Sequence, residues 1–260
     1  MNIVVTDFPP VSAFELSDPS GVKEPDFVEV VLRVLGHLRP DCFIFPFHPK
    51  VYHDDTVWIP DLAVVAKDFT YWFVVEVEIA THHLEKHVIP QATAFCEGRY
   101  DENTAEILSS AVKVTRQQAE TLLATIPRDV VVVSNKRDGR WNQKLAALGV
   151  QHVVIETYRN ITTSQAVHRI EGELLPAHRS LGFGMVRLTD GLIITQVGGF
   201  WKAGPIEIHG PDGVAKWGCS ITNGKVWLMK ERGLIEFHNE AMVQFLLRHD
   251  GTVIVRLPYS

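Results

Sequence analysis

The chain has 260 residues and a formal net charge of −6, with 46% hydrophobic and 22% charged residues. This composition is ordinary for a globular protein of one large domain or two smaller ones. A chain this acidic does not coat nucleic acid by charge alone. No apolar run approaches the roughly 20 residues of a membrane helix, and the start, MNIVVTDFPP, lacks the pattern of a secretory signal.

The three cysteines, Cys42, Cys96 and Cys219, are far apart and odd in number. They form no CxxC pair, and widely spaced single cysteines are typical of small buried hydrophobes in a reducing compartment. We therefore expect a cytoplasmic protein that does not associate with membranes.

The first predicted elements are a helix and three strands. Residues 1–23 are punctuated by Pro, Ser and Asp, which predicts an irregular lead-in. Apolar residues then recur at three-four spacing between Pro25 and Pro40, which predicts a helix. Residues 42–55, 57–68 and 71–80 are rich in β-branched and aromatic residues. We expect one strand from each, joined as an antiparallel meander.

Helices alternate with two further strands over residues 81–157. The run THHLEKHVIPQATAFCEGRY predicts a helix with Thr81 as N-cap and a kink or restart at Pro90. Two short helices are expected over residues 101–127. RDVVVVSN, GRWNQKLAALG and VQHVVIET then predict a strand–helix–strand crossover with parallel strands. This element order predicts an α/β fold in which helices flank a mixed sheet.

The chain changes character near residue 178, where AHRSLGFG is a plausible joint. Glycine becomes frequent, and short β-rich runs alternate with the hairpin signals Asp190–Gly191, Asp212–Gly213, Asn223–Gly224 and Asp250–Gly251. EAMVQFLLRH is the one helical candidate. We predict a first domain over residues 1–178 and a small β-rich domain, a sheet or partial barrel, over 179–260.

The tryptophans Trp201, Trp217 and Trp227 of the second domain have two interpretations. A small β-rich domain needs large hydrophobic residues in its core, which is the interpretation we favour. Alternatively, exposed aromatic rings stack on bases. We expect this domain to recognise substrate or to mediate self-association.

Three carboxylates interrupt the apolar runs of the second and third predicted strands. Alternate residues of a strand share a face, so Glu76 and Glu78 point the same way. Asp61 lies across from them if residues 67–70 close a hairpin, and Mg²⁺ bound by the three carboxylates would remove their repulsion. Alternatively, Asp61 caps a turn and the glutamates lie on a solvated face, although Trp72 shares that face.

Pro60–Asp61, fourteen further residues and then Glu76–Val77–Glu78 resemble the PD-(D/E)XK nuclease motif. The element order over residues 24–157 is similar to the core of this restriction-endonuclease-like superfamily. The resemblance implies a metal-dependent endonuclease that cuts DNA, with Asp61 and Glu76 binding Mg²⁺ and with Mn²⁺ as a substitute. It also implies a homodimer or higher oligomer and suggests restriction or anti-phage defence.

Glu78 stands where this family usually has a catalytic lysine. The resemblance implies that Glu78 is a metal ligand or base, as in the minority of members with an E-x-E motif. Lys67 or Lys86 could supply the missing positive charge, and Lys86 is favoured because it follows the motif strand on a predicted helix. Glu29 on the first helix matches an additional acidic metal ligand of many members.

Gln91 corresponds to a helix glutamine that some nuclease subfamilies carry, although Phe95 replaces their usual tyrosine. We predict that Gln91 binds substrate.

Three histidines, His82, His83 and His87, follow the motif strand. The i, i+4 spacing of His83 and His87 suits zinc. No third ligand follows at a spacing typical of zinc motifs, so we expect ordinary surface histidines. We expect His83 to contact substrate phosphate. Lys136 follows a strand end, where clefts of α/β sheets form, and is expected to bind substrate; a solvated turn explains it equally well.

A second function remains open. The missing lysine and the acidic net charge favour a nuclease-fold protein that has lost turnover. Such a protein would act as a DNA-binding or assembly subunit, with a protein partner bound through its C-terminal domain.

Overall fold

The structure is a computed structural model that describes residues 2–4, 14–163, 165–172, 174, 178–187, 192–196, 200–210, 212–233, 240–248 and 250–257. The chain divides into two compact units. The first unit comprises Met1–Ala119 and Arg128–Leu175, and the second comprises Glu120–Pro127 and Pro176–Ser260. The second unit therefore begins close to the predicted boundary at residue 178, and it also includes a short segment from the middle of the chain. None of the helices in the described part of the chain is long and apolar enough to cross a membrane.

The first unit is built from helices and a mixed sheet. The helices are α1 Glu24–Leu38, α2 Ile89–Glu97, α3 Thr104–Val112, α4 Arg116–Thr125, which continues into the second unit, and α5 Gly139–Ala147. The strands are β1 Asn2–Val4, β2 Phe14–Leu16, β3 Cys42–Pro46, β4 Val51–His53, β5 Thr56–Trp58, β6 Leu62–Ala66, β7 Trp72–Glu78, β8 Arg99–Tyr100, β9 Arg128–Ser134, β10 Gln151–Asn160 and β11 Ala166–Glu171.

The main sheet has the order β1-β11-β10-β9-β7-β6-β3, and β2 also pairs with β10. β6 pairs antiparallel with both β3 and β7, whereas β7, β9 and β10 run parallel to one another. β4, β5 and β8 form a separate small sheet. The predicted mixed α/β architecture is confirmed, as is the parallel crossover from β9 through α5 to β10.

Helix α1 covers one face of the centre of this sheet. It begins with Pro25 in its first turn and ends before Pro40, as predicted. Phe27 and Val31 of α1 are buried in one hydrophobic cluster with Val75 and Val77 of β7. Because side chains alternate along a strand, Glu76 and Glu78 face the other side of the sheet.

Several predicted boundaries were wrong. Residues 42–55 and 57–68 each form two strands, and β5 ends at Trp58 before Pro60, which has no N–H to donate to a ladder. Within the supposed irregular lead-in, β1 pairs with β11 and β2 with β10. Thr81 is not a helix cap: a π-helical turn, Leu84–Val88, precedes α2, which restarts with Pro90 in its first turn.

The second unit is a closed seven-stranded barrel in the order β12-β13-β16-β15-β14-β18-β17. Its strands are β12 His178–Arg187, β13 Leu192–Gln196, β14 Gly204–Gly210, β15 Gly213–Thr222, β16 Lys225–Gly233, β17 Met242–Arg248 and β18 Val253–Arg256. Trp201 and Trp217 are buried in its core, as favoured above, whereas Trp227 is only partly buried. The β-rich character predicted for this part of the chain is confirmed.

Some of the turns and elements predicted for the second unit agree with the structure and others do not. Asn223 and Gly224 have φ of 52° and 71° in the turn from β15 to β16, which fits the predicted hairpin. The helix predicted over residues 240–249 was wrong, because this segment forms β17 and buries Val243 and Phe245. The supposed joint at residues 177–184 lies largely within β12. Asp190–Gly191 and residues 234–238 lie outside the described residues.

Candidate metal centre

The three motif carboxylates lie at the C-terminal half of β7. Glu76 and Glu78 point to the face of the sheet opposite α1, and they are only 4% and 0% exposed. The alternative of a solvated sheet face is therefore excluded. Every residue of β7 is buried, so the strand places two carboxylates in an environment where an isolated negative charge is costly.

Asp61 joins the two glutamates from the neighbouring strand. It directly precedes β6, in which Leu62 pairs with Val75 of β7. The Val77 N–H donates a hydrogen bond of 2.8 Å to Asp61 Oδ2. The carboxylate of Asp61 thus lies against β7 at the residue between Glu76 and Glu78. Burial raises the pKa of Asp61 to about 6, although the Val77 N–H opposes the shift.

Glu76 is held by the first turn of α2. Gln91 is itself buried, and its Nε2 donates a hydrogen bond of 2.7 Å to Glu76 Oε1. The other oxygen, Glu76 Oε2, is buried and has no hydrogen-bond partner among the residues that the structure describes. Burial, followed by the charges of Asp61 and Glu78, holds the pKa of Glu76 well above its usual range.

Glu78 faces two histidines. Its Oε2 contacts His82 Nδ1 and lies 3.8 Å from His87 Nε2. The His82 and His87 rings meet at an angle of 73°, with their centroids 4.7 Å apart. On its far side, His82 Nε2 lies 3.3 Å from Glu24 Oε2. Burial raises the pKa of Glu78 to about 7, and the hydrogen bond from His82 partly offsets this rise.

The chain after β7 is fixed in place by Asn135, which follows β9. Asn135 Oδ1 accepts a hydrogen bond of 2.8 Å from the Ala80 N–H, and its Nδ2 donates to the Pro19 carbonyl at 2.9 Å. β7 and β9 are parallel, so their C-terminal ends meet at the same edge of the sheet. Ligands of open α/β sheets bind at such edges.

A pocket of about 320 Å³ lies at this edge of the sheet. His82 belongs both to its wall and to the Glu78 cluster, and the wall also includes His83 and Lys136. Two further cations of the wall are paired: Arg140 with Asp138 at 2.6 Å and Lys144 with Glu85 at 3.2 Å. The pocket therefore offers basic and imidazole groups to an anionic ligand.

We compared the chain with protein-family profiles, curated proteins and solved structures, and none of them matches. The geometry of the site therefore carries the functional argument.

The structure brings some of the predicted site residues together. Asp61 and Glu78 are near enough to Glu76 for their charges to raise its pKa, and Gln91 joins the group through Glu76. Among the described residues, the group whose ligand atoms all lie within 4.8 Å of one another is Glu78, His82 and His87 rather than the three carboxylates. Gln91 is buried against a carboxylate, a position that suits a positioning residue better than a direct substrate contact. His83 and Lys136 are exposed on the pocket wall, where both were expected to meet substrate.

Other predicted residues lie elsewhere. Lys86 is exposed on the π-helical turn, and Glu29 is exposed on α1. Lys67 lies at the end of β6 opposite Asp61, where its Nζ donates to the Pro40 carbonyl at 2.7 Å. Among the described residues, the α1 carboxylate that contacts the cluster is Glu24 rather than Glu29.

Sequence reasoning missed the histidines that face Glu78. It paired His83 with His87 at i, i+4, but the structure brings His82 and His87 together instead. The π-helical turn explains the difference, because a wider helical turn changes which side chains share a face. The signal was the run HHLEKH directly after the motif strand.

Proposed function

We propose that the protein is a metal-dependent endonuclease that hydrolyses phosphodiester bonds of DNA. The observation that carries the proposal is the hydrogen bond between Asp61 and the Val77 N–H, which places a third carboxylate beside two buried glutamates. Three negative charges at such a site repel one another, and a divalent cation neutralises them. The order α1, β3, β6, β7, α2, β9 also agrees with the order that the PD-(D/E)XK resemblance implies.

The residues present fit a hard divalent cation. Glu76 Oε2 and Glu78 Oε1 are buried without hydrogen-bond partners among the described residues, and both are available as ligand oxygens. Carboxylate oxygens suit Mg²⁺ and Mn²⁺. Asp61 and Glu76 would hold the ion, with Glu78 beside them. When bound, such an ion polarises a phosphoryl oxygen and lowers the pKa of a bound water.

The side chains around the carboxylates would handle substrate and proton. His83 and Lys136 would bind backbone phosphates, because they are exposed cationic or imidazole groups on the same pocket wall as His82, which contacts Glu78. Glu78 lies within electrostatic reach of Glu76, and its carboxylate would accept a proton from the attacking water, the role of a general base.

The direct test is cleavage of supercoiled plasmid DNA by the purified full chain. We expect nicking and linearisation with Mg²⁺ or Mn²⁺ and none with excess EDTA. Plasmid that stays intact both with Mg²⁺ and with Mn²⁺ would contradict the proposal.

A second candidate function is DNA binding without turnover, as a subunit of a larger complex. It is favoured by the positions of Lys67 and Lys86, since neither lysine contacts the motif carboxylates among the described residues. A mobility-shift assay separates the candidates: retarded DNA that remains uncut with Mg²⁺ and Mn²⁺ selects the binding subunit.

The proposal extends to assembly and biological role. Many restriction-endonuclease-like enzymes cut the two strands of a duplex with two subunits, and by this resemblance we propose a homodimer, which sedimentation would detect. We also propose that the second unit binds a protein partner, and that the protein acts in the cytoplasm in restriction or anti-phage defence. Reduced phage plaque formation by cells that express the chain would support this role.

A further inference from the structure

We propose that Glu78, His82 and His87 form a zinc site of their own, next to the carboxylate pair Asp61 and Glu76. One nitrogen from each histidine and one oxygen of Glu78 all lie within 4.8 Å of one another. The ligands of a tetrahedral Zn²⁺ lie about 3.4 Å apart, given bonds of about 2.0–2.1 Å. The 3.8 Å between Glu78 Oε2 and His87 Nε2 is close to this spacing, whereas the contact between Glu78 Oε2 and His82 Nδ1 is shorter and has to widen for the ion to enter.

Glu24 prepares His82 to act as a ligand. Its carboxylate lies 3.3 Å from His82 Nε2, and it favours the tautomer that carries the proton on that nitrogen. The lone pair of Nδ1 then points at Glu78 Oε2. A lone pair that faces a carboxylate requires a proton or a cation between them. A carboxylate that orients a histidine from its far side is the common outer-shell arrangement of zinc sites.

Glu78 supplies an independent observation. Its side chain is 1% exposed, and its Oε1 has no hydrogen-bond partner among the described residues. A buried carboxylate oxygen without a partner is costly, and a bound cation removes that cost. Both histidines are partly exposed, and His82 lines the pocket, so the ion has a route from solvent.

The π-helical turn places His87 in the cluster. Both the His87 and the Val88 N–H groups bond to the His83 carbonyl, at 2.9 Å and 3.4 Å. Such wide turns are rare and occur frequently at functional sites. Here the turn directs His87 toward Glu78 and leaves the neighbouring His83 exposed on the pocket wall.

The ligand set selects the ion. Imidazole nitrogen favours zinc and similar transition metals, whereas Mg²⁺ prefers oxygen ligands. Two histidines and one glutamate form a known zinc ligand set that leaves a fourth position open. Because His82 also lines the pocket, a water or a phosphate oxygen from the pocket can take that position.

The test is calorimetric titration of the metal-free full chain with Zn²⁺ in a large excess of Mg²⁺. We expect one Zn²⁺ per chain with micromolar or tighter affinity. Substituting His82→Asn or His87→Asn should weaken binding at least tenfold, because losing a ligand costs no less than losing an outer-shell partner, which lowers affinity about 10–100-fold. His83→Asn is the matched control and should bind Zn²⁺ as the wild type does. Co²⁺ should give the visible absorption of a tetrahedral site.

Three results would overturn the proposal. These are the absence of Zn²⁺ binding in Mg²⁺, equal losses in His83→Asn and His82→Asn, and loss of Zn²⁺ binding in Asp61→Asn, which would assign the ion to the carboxylate pair. If His82→Asn fails to fold, the partly exposed His87 decides the outcome through His87→Asn. The experiment measures Zn²⁺ binding and not cleavage. If the chain binds Zn²⁺ but does not cut DNA, the zinc site is supported and only the nuclease proposal is refuted.

Discussion

Asp61 Oδ2 accepts a hydrogen bond from the Val77 N–H across the gap between β6 and β7. The backbone pairing of these strands ends at Leu62 and Val75. Beyond that pair, the Asp61 side chain rather than the β6 backbone accepts the hydrogen bond from β7. Asp61 therefore has two roles, one in the sheet and one at the acidic centre. An Asn at this position keeps an acceptor for Val77 but loses the charge.

The first prediction concerns the pair Gln91 and Glu76. Removing the Gln91 amide leaves a buried carboxyl oxygen without its donor, which costs about 1–3 kcal/mol. We expect Gln91→Leu to lower the free energy of unfolding by that amount, measured by urea denaturation in EDTA. In the Glu76→Leu background the same substitution should cost much less, since the acceptor is gone. Equal costs in the two backgrounds would show that the hydrogen bond contributes nothing.

The second prediction concerns pH. Burial raises the pKa of Asp61 to about 6 and of Glu78 to about 7. Between about pH 4 and these values the folded chain binds more protons than the unfolded chain, so both groups make stability fall as pH rises. Without divalent metal, Glu78→Gln should remove about 3 kcal/mol of this fall between pH 4 and pH 8.

The control for this pH prediction is Glu106→Gln, which changes an exposed glutamate of α3. The measurement is urea denaturation of the wild type, Glu78→Gln and Glu106→Gln at several pH values. If the stability of Glu78→Gln follows the wild-type pH profile, Glu78 is not held in its protonated form by burial.

The third prediction compares two glutamates of α1. Glu24 contacts His82, whereas Glu29 is exposed on the same helix. Removing a carboxylate that orients a metal-bound histidine lowers metal affinity about 10–100-fold. We expect Glu24→Gln to weaken Zn²⁺ binding within this range and Glu29→Gln to leave it unchanged, as measured by competition with a zinc chelator. A larger loss of Zn²⁺ affinity in Glu29→Gln than in Glu24→Gln would contradict the role of Glu24 at His82.

The sequence predicted the acidic centre because its signals are local. The period of two along β7 places Glu76 and Glu78 on one face, and the short loop after β6 brings Asp61 across from them. The burial of Phe27 and Val31 followed from their helical spacing.

The errors arose where tertiary contacts decide. MVQFLLR is a short apolar run that suits a helix or a strand equally, and pairing with β12 and β18 makes it β17. The approach of Glu24 to His82 depends on how α1 packs on the sheet, which no spacing in the sequence reveals. The π-helical turn likewise brings His82 rather than His83 to His87, which the sequence spacing did not predict.

The most direct test of the metal-centre proposal is plasmid cleavage by Asp61→Asn beside Asp55→Asn, an exposed aspartate in the turn from β4 to β5. Both variants should fold, as shown by unchanged circular dichroism. With Mg²⁺ we expect Asp55→Asn to cut at the wild-type rate and Asp61→Asn to lose cleavage by at least a thousandfold, about 4 kcal/mol of transition-state stabilisation. Wild-type cleavage by folded Asp61→Asn would contradict the account.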